Sequence, residues 1–390
     1  MYLYSTKYNS ANFLDPSETG NGAVASDRIL LVCVVMLMIA GLLAVYSSIA
    51  YFAELKLTTA GNLVGGHIVK MFISFLVLLI FSKIDYHIVV RFSRLALLLS
   101  WLFLIIVTLY GTEVFGARRS FNLAGFSFQP STLATIALLV HVVVLVTKKQ
   151  EYIKDFKRSF LPIILWVFTT FALIALEDFS SAAILLVLSL IVMFVGRTSA
   201  LHIGIFLLIG LMFAGIMIMQ TEQRQARLSN YIDQVVHIES EEFALGQGYQ
   251  AQQAQIAVAQ GQWFGVGIGK SSQRDFLPAP YNDFIFSIIT EEYGLIGGAF
   301  ILLLYTLILF RGIAFIARRA IDHTGALLAV ACTLMIAMYG FVNAAVATGL
   351  FPVTGLPMPM VSYGGTNMLF AGMMIGILLN ISKQRRTDDE

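Results

Sequence analysis

The sequence predicts an all-α integral membrane protein of about ten transmembrane helices, with a large extracytoplasmic loop between spans 7 and 8. Hydrophobic residues make up 58% of the 390 residues and charged residues only 12%, against about a quarter charged in soluble domains. Apolar runs of about 20 residues, enough to cross a ~30 Å hydrocarbon core as helix, recur along the whole chain. The basic residues fall in short clusters between those runs rather than along one face. That pattern fits membrane topology and excludes nucleic acid as a partner.

The elements follow in order. Residues 1–27 are polar and rich in Ser, Asn and Tyr. They lack the basic region and cleavable apolar core of a secretory signal, so they read as a cytoplasmic tail ahead of a retained first span. Spans are expected near 28–50, 67–82, 94–111, 129–147, 160–176, 180–196, 200–219, 284–310, 325–350 and 364–382. The short runs near 180–196 and 200–219 also fit one kinked span, and charge decides between the two counts. With ten spans and an inside N-terminus, the clusters Lys83 to Arg94, Lys148 to Arg158, Arg197, Arg311 to Arg319 and Lys383 to Arg386 share one side. By the positive-inside rule that side is the cytoplasm. Fusing the two runs puts Arg311, Arg318 and Arg319 outside. The reading is one membrane domain, 28–382, containing an extracytoplasmic loop at 220–282 and followed by a cytoplasmic tail at 383–390. Cys33 and Cys332 lie inside apolar runs and read as packing residues.

The opposite face carries Tyr51 to Gly66, Gly111 to Phe128, the loop 220–282 and Phe351 to Asn367, FPVTGLPMPMVSYGGTN, which holds three of the eight prolines. Proline removes a backbone donor and breaks helices, and in lipid each freed carbonyl needs a partner. Such a segment is buried in protein or lines a wet cavity. Its opening residues, Pro352, Thr354, Gly355 and Pro357, read as a structural motif. Ser362, Tyr363, Gly364 and Gly365 lead into the last span, whose amides and positive dipole end face outward, an arrangement suited to phosphate or carboxylate. A turn or close packing is the commoner meaning of a Gly pair. The end of the long loop, Gly- and Pro-punctuated from Gln260 to Asp283, reads as an ordered cap over a site.

Asp283 stands where that loop enters a span, and two readings apply. One is a helix-capping carboxylate. The other is a general base at the water–lipid boundary, held ionised by the helix terminus while Phe284 and Phe286 limit water. Arg118 and Arg119 place cations on the outer face, where a positive-inside protein has least reason to keep them. They suit bidentate contact with phosphate, or snorkelling to headgroups. Arg224 and Arg227, three apart, share one face of a short helix, as a ligand contact or as a solvated surface. Glu291 and Glu292 lie about two turns beyond Asp283, and each is expected to face protein, be protonated or meet a cation such as Lys70. Glu177 and Asp178 read as interfacial. His67 and His141 lack ligand spacing and read as satisfied core positions. No metal cluster or cofactor motif is visible, although a highly charged anionic ligand often brings Mg²⁺ by its own charge.

Four motifs in order carry a family resemblance: GLLAVYSS from Gly41, GARRSFNLAGFSFQPS from Gly116, GQWFGVGIGKSSQRDFLPAPYNDFIFSIITEEYGLIGG from Gly261, and NAAVATGLFPVTGLPMPMVSYGGTNM from Asn343. From about Asp27 to Arg386 the chain resembles the SEDS family of bacterial shape, elongation, division and sporulation proteins. YSS and DFIFSIITEEYG are closer to its division-type FtsW branch than to its elongation-type RodA branch. The resemblance implies a ten-span glycosyltransferase that polymerises lipid II on the outer face of the bacterial cytoplasmic membrane, at the division septum. Its implied partners are a class B penicillin-binding protein that crosslinks the strands, other division proteins and membrane lipid. It further implies that Asp283, in YNDFIF, is the catalytic base and that Arg119 steadies the pyrophosphate; Asn343 matches a motif residue. The chain departs from the family pattern at Ser120, usually Trp, at Thr132 and Thr135, usually Glu and Lys, and at Tyr339, often Gln. Two other functions remain open: a transporter that flips the lipid-linked precursor, supported by Glu291, Glu292 and Lys70, and a non-catalytic scaffold for other wall enzymes.

Overall fold

The computed structural model describes residues 26–55, 60–114, 117–123, 126–220, 225, 229, 248–277 and 280–384. Its helices are α1 (Arg28–Leu55), α2 (Ala60–Phe81), α3 (Tyr86–Tyr110), α4 (Pro130–Lys148), α5 (Leu161–Ala175), α6 (Phe179–Val195), α7 (Ala200–Met219), α8 (Tyr249–Gly261), α9 (Ile285–Phe310), α10 (His323–Ala347) and α11 (Thr366–Lys383). Among the described residues, eight helices are long and apolar enough to cross a membrane, and α6 and α7 supply two shorter apolar ones. Each expected span falls on one of these helices. The runs near 180–196 and 200–219 form separate helices, α6 and α7, with the intervening Arg197 at φ 67.

Aspartate caps start three of the helices. Asp85, Asp178 and Asp322 occupy N-caps, and their side chains accept from the amides of His87, Ser181 and Gly325. Proline opens the first turn of α4, where its missing donor costs nothing. Three short antiparallel strands were not anticipated: β1 (Thr112–Val114), β2 (Ala117–Leu123) and β3 (Phe126–Phe128), in the order β1-β2-β3. They occupy the connection between α3 and α4. Nor was α8 foreseen inside the long loop. Its buried stripe is Ala251, Ala254, Ala257 and Gly261, residues too small to raise hydropathy.

Helices α4, α10 and α11 form the centre, while α2, α3 and α7 turn large apolar side chains such as Phe72, Leu95 and Leu208 outward. Outward apolar faces on membrane-length helices are lipid-facing surface. Close backbone approach joins α11 to α2. A Cβ at Gly372 would come within 2.5 Å of the Ser74 carbonyl, and one at Gly376 within 2.6 Å of the Leu78 carbonyl. This is small-residue packing at four-residue spacing, the mode available where lipid removes the hydrophobic drive between helices. At the end opposite the long loop, Asp27 ties three elements together. Its carboxylate accepts from Arg311 at 2.6 and 3.0 Å and from the Leu30 amide, and its own amide donates to Ser382.

One break interrupts α9. Gly294 has φ 72 and ψ −174, so Ile285–Tyr293 and Leu295–Phe310 are two helices in series. Interruption frees backbone groups, and the loop after α8 takes them up. Val266 and Gly267 donate to the carbonyls of Glu291 and Glu292 at 2.9 and 3.1 Å, while Leu295 and Ile296 donate to those of Gln262 and Trp263 at 2.7 and 3.3 Å. The glycines of GQWFGVGIG are the condition for this contact. A Cβ at Gly294 would lie 2.3 Å from the Trp263 carbonyl oxygen, and one at Gly265 would lie 2.1 Å from that of Glu292, both at positive φ. Gly294→Ala is therefore expected to lower unfolding stability by about 2 kcal/mol or more. Gly204→Ala, on α7 where a Cβ meets nothing within 4 Å, should leave it unchanged or slightly raised. Melting curves of the two purified variants check the contrast.

Candidate functional site

The stretch from Phe351 to Gly365 is non-helical between α10 and α11, yet Leu356, Met358, Met360, Val361 and Ser362 are buried within the bundle. Its carbonyls find the partners that burial requires. The Leu356 carbonyl accepts from Asn343 Nδ2 at 2.8 Å, that of Met358 from the amides of Val361 and Ser362, and that of Pro359 from the Tyr305 hydroxyl. Helix α1 passes close by through Gly41, where a Cβ would sit 2.6 Å from the Val361 carbonyl oxygen. The glycine of GLLAVYSS thus makes room for the stretch.

The same stretch fixes the approach to α9. Asn343 Nδ2 donates to the Asp283 carbonyl at 2.9 Å as well as to Leu356. The Ser362 hydroxyl accepts from the Met358 amide and donates to the Asn282 carbonyl, both at 2.7 Å. The Tyr363 amide donates to the Tyr281 carbonyl at 2.8 Å. Three consecutive residues, Tyr281 to Asp283, are held by one wall. Asp283 sits one residue before the Phe284 N-cap of α9, not at the cap. Its side chain is half-buried, and a Cβ at Gly355, at φ 71, would lie 3.6 Å from Asp283 Oδ2. Pro352 and Pro357 flank that glycine's turn, and Thr354 precedes it; the absent side chain leaves the carboxylate open on this flank. Burial raises the Tyr281 hydroxyl above the usual phenol range, helped by Tyr363 and Asp283 nearby.

Other elements converge on the same end of the bundle. Thr366, the first residue of α11, accepts from the Gln129 amide and donates to the Ser127 carbonyl, both at 3.2 Å. Gln129 Nε2 in turn donates to Asp178 at 3.3 Å. The N-terminal ends of α4, α6, α9 and α11 meet here, and each brings the partial positive charge of its dipole. Gly365 is the N-cap of α11, and Gly364 precedes it. Asp178, at the turn between α5 and α6 as expected, is buried as the α6 N-cap beside Gln129. Arg118 and Arg119 belong to β2, with Arg118 opposite Glu113 of β1; their side chains lie outside the described structure. Arg224 and Arg227 lie outside the described residues.

Glu291 and Glu292 are buried against protein, one of the outcomes expected of them, and the cation near Glu292 is Arg274 rather than Lys70. Glu291 accepts from the Ser271 hydroxyl and from the Ser272 and Gln273 amides at 2.9 and 3.3 Å, so it anchors the end of the long loop. Glu292 accepts from the Ser47 hydroxyl, and Arg274 Nη1 donates to the Ser47 carbonyl at 3.0 Å. The serine of YSS thus stitches α1 to both loop and helix. Lys70 instead donates to the Tyr363 hydroxyl at 3.0 Å. His67 is not a satisfied core residue: it is fully buried, and among the described residues neither ring nitrogen has a hydrogen-bond partner. Where the family pattern has ionic or amide groups, the Tyr339 hydroxyl lies beside Thr135. A neutral contact joins α10 to α4 there. Among the described residues no three His, Cys, Asp or Glu side chains converge as metal ligands.

A family model described as "Cell cycle protein" (FtsW, RodA and SpoVE) matches residues 27–387. Stage V sporulation protein E of Bacillus subtilis is 33% identical over 365 residues, covering 92% of this chain and 98% of that relative. A probable peptidoglycan glycosyltransferase FtsW of Geobacter sp. (strain M18) is 30% identical over 369 residues, covering 92% and 97%. The crystal structure of the rod shape determining protein RodA from Thermus thermophilus superposes with a TM-score of 0.67 at 25% identity, covering 94% of this chain and 99% of that one. A chain from a peptidoglycan synthase complex shares the fold, with a TM-score of 0.73 at 24% identity over 94% and 100%.

Asn343→Ala withdraws one donor from two carbonyls, those of Asp283 and Leu356. A cost of about 1–3 kcal/mol for each is expected. Thermal unfolding of the purified variant should show the loss, and a melting temperature equal to that of the parent would refute the bracing role.

Proposed function

The chain belongs to the FtsW/RodA/SpoVE family of cell cycle proteins, and from that premise we propose that it is a peptidoglycan glycosyltransferase that polymerises lipid II at the outer face of the cytoplasmic membrane. The observation that carries this reading is Asp283, half-buried and held by the Asn343 bond to its own carbonyl and the Ser362 and Tyr363 bonds to its two preceding residues, where several helix N-termini meet. A base needs a fixed position within hydrogen-bond reach of the proton it takes, and those bonds supply the fixing.

In the proposed reaction, the acceptor sugar 4-hydroxyl attacks the donor anomeric carbon. Asp283 takes the hydroxyl proton as the new C–O bond forms. The anomeric bond to the lipid diphosphate breaks, and the undecaprenyl diphosphate leaves with the electron pair. Charge developing on the departing diphosphate faces the amides and dipoles at the starts of α4, α9 and α11, a preorganised electrostatic arrangement. Arg119, on β2 beside the α4 start, is assigned to the same diphosphate.

Ten spans with both termini cytoplasmic is the topology this reading adopts, since it alone keeps the basic clusters on one side. A class B penicillin-binding protein is the proposed partner, in keeping with the solved peptidoglycan synthase complex whose chain shares the fold. Division at the septum is the favoured setting, supported by YSS, DFIFSIITEEYG and the FtsW relatives; the relation to a stage V sporulation protein supports sporulation as the second setting. Transport is the weaker alternative, because its supporting carboxylates, Glu291 and Glu292, are engaged with Ser271, Ser272 and Ser47 in anchoring the loop.

With the purified chain and its partner, Asp283→Asn is expected to lower glycan polymerisation by about 10²–10⁴-fold while leaving the melting temperature unchanged. Polymer yield equal to that of the parent protein would sink the assignment. Lipid II translocation into vesicles that is lost in Glu291→Gln and retained in Asp283→Asn would favour transport instead.

A further inference from the structure

The cluster on α2 beside Tyr363 has no role in the reaction as described above. His67 is fully buried with both ring nitrogens unpartnered among the described residues, and its ring stacks on Tyr363 at 5.3 Å between centroids. Lys70, one turn along the same helix and also buried, donates to the Tyr363 hydroxyl at 3.0 Å and lies 4.3 Å from the ring centroid. Tyr363 meets Tyr281 edge to face at 5.3 Å, which leads to Asp283 two residues on. Residues 66, 67 and 70 share one face of a helix. On that face Gly66, and beside it Gly65, leave open room: a Cβ at either would meet no atom within 4 Å.

Burying an imidazole without partners costs free energy that a ligand can return. A lysine ammonium beside it has three donors and can serve Tyr363 and an anion together. We propose that His67, Lys70 and Tyr363 form a subsite that holds the diphosphate of the lipid-linked sugar, reached across the bare backbone of Gly65 and Gly66. This rests on the glycosyltransferase reading and deepens it: the diphosphate is the most highly charged part of that substrate class. The subsite places it one tyrosine pair away from the candidate base. Tyr363 acts as the link, since its amide positions Tyr281 while its ring and hydroxyl meet His67 and Lys70.

The test is direct binding of undecaprenyl diphosphate, with undecaprenyl monophosphate as comparison, to the full chain in nanodiscs, read as ligand-induced thermal stabilisation. The parent protein should bind the diphosphate more tightly than the monophosphate, and Asp283→Asn, which removes a nearby negative charge, should bind it at least as tightly. Lys70→Met and His67→Phe should each weaken diphosphate binding by about tenfold to a hundredfold, whereas Lys70→Arg should retain most of it. In polymerisation assays the same losses should appear as a raised KM for lipid II with kcat changed less. Diphosphate binding at parental strength in Lys70→Met and His67→Phe overturns the proposal, as does absence of stabilisation in the parent. If Lys70→Met fails to fold, Lys70→Gln and His67→Gln take its place under the same criterion. Polymerisation that survives Asp283→Asn overturns the catalytic reading separately, because the binding assay does not depend on turnover.

Discussion

Every backbone group removed from a helix inside a membrane must find a new partner in the protein, and this structure is organised around two places where that happens. One is the Pro/Gly stretch between α10 and α11. The other is the break at Gly294, repaired by the loop that follows α8. In each case the repair draws in distant parts of the chain. Asn343, Tyr305 and Gly41 close around the first, while residues 262–267 close around the second. The requirement to satisfy carbonyls therefore does more than preserve the fold. It brings the start of α9, the start of α11 and the end of the long loop to one end of the bundle.

The two repairs are also connected. Glu291 and Glu292 lie just before the break, and they take up Ser271, Ser272 and Ser47, so the loop is pinned by side chains as well as by backbone. Asp283 stands at the other end of the same short helix, its carbonyl held by Asn343 of α10 and its two preceding residues by the Pro/Gly wall. A helix of nine residues, Ile285–Tyr293, is thereby clamped at both ends. A carboxylate at its mouth inherits a defined backbone position from those contacts.

Much of this was legible in the sequence, for identifiable reasons. Spans are read from length and hydropathy, and each expected run became a helix. The prolines at 352, 357 and 359 announced buried, non-helical backbone because proline's missing donor is a property of the residue itself. The break in α9 was hidden because Gly294 sits in EEYGLIGG, where a glycine in a membrane helix ordinarily signals packing, and only the approach of Trp263 distinguishes the two meanings. Helix α8 was hidden because alanines form its buried face, and β1 and β3 because three-residue strands leave no periodicity. Lys70, named as a cation that Glu291 or Glu292 could meet, finds another partner for a related reason. Sequence gives its depth along α2 but not its azimuth, and the helix presents it to Tyr363.

The departures from the family pattern acquire a physical meaning together. Thr135 and Tyr339 replace charged or amide groups with two neutral hydroxyls side by side between α4 and α10, so the centre of the bundle holds less charge than its relatives' pattern implies. The cationic character of the outer end then depends on helix N-termini, on β2 and on a lysine that packs against an aromatic ring rather than against Glu291 or Glu292. Dipoles from fixed backbone need no reorganisation when an anion arrives, which is the property that makes them effective at a reacting centre. A lysine stacked on tyrosine is restrained in the same way. With the Asp283 carboxylate and these donors on separate elements joined by the Tyr281–Tyr363 contact, the proposed proton-accepting and anion-holding tasks fall on adjacent but distinct positions. That separation keeps a carboxylate and a diphosphate, which repel each other, from competing for the same donors.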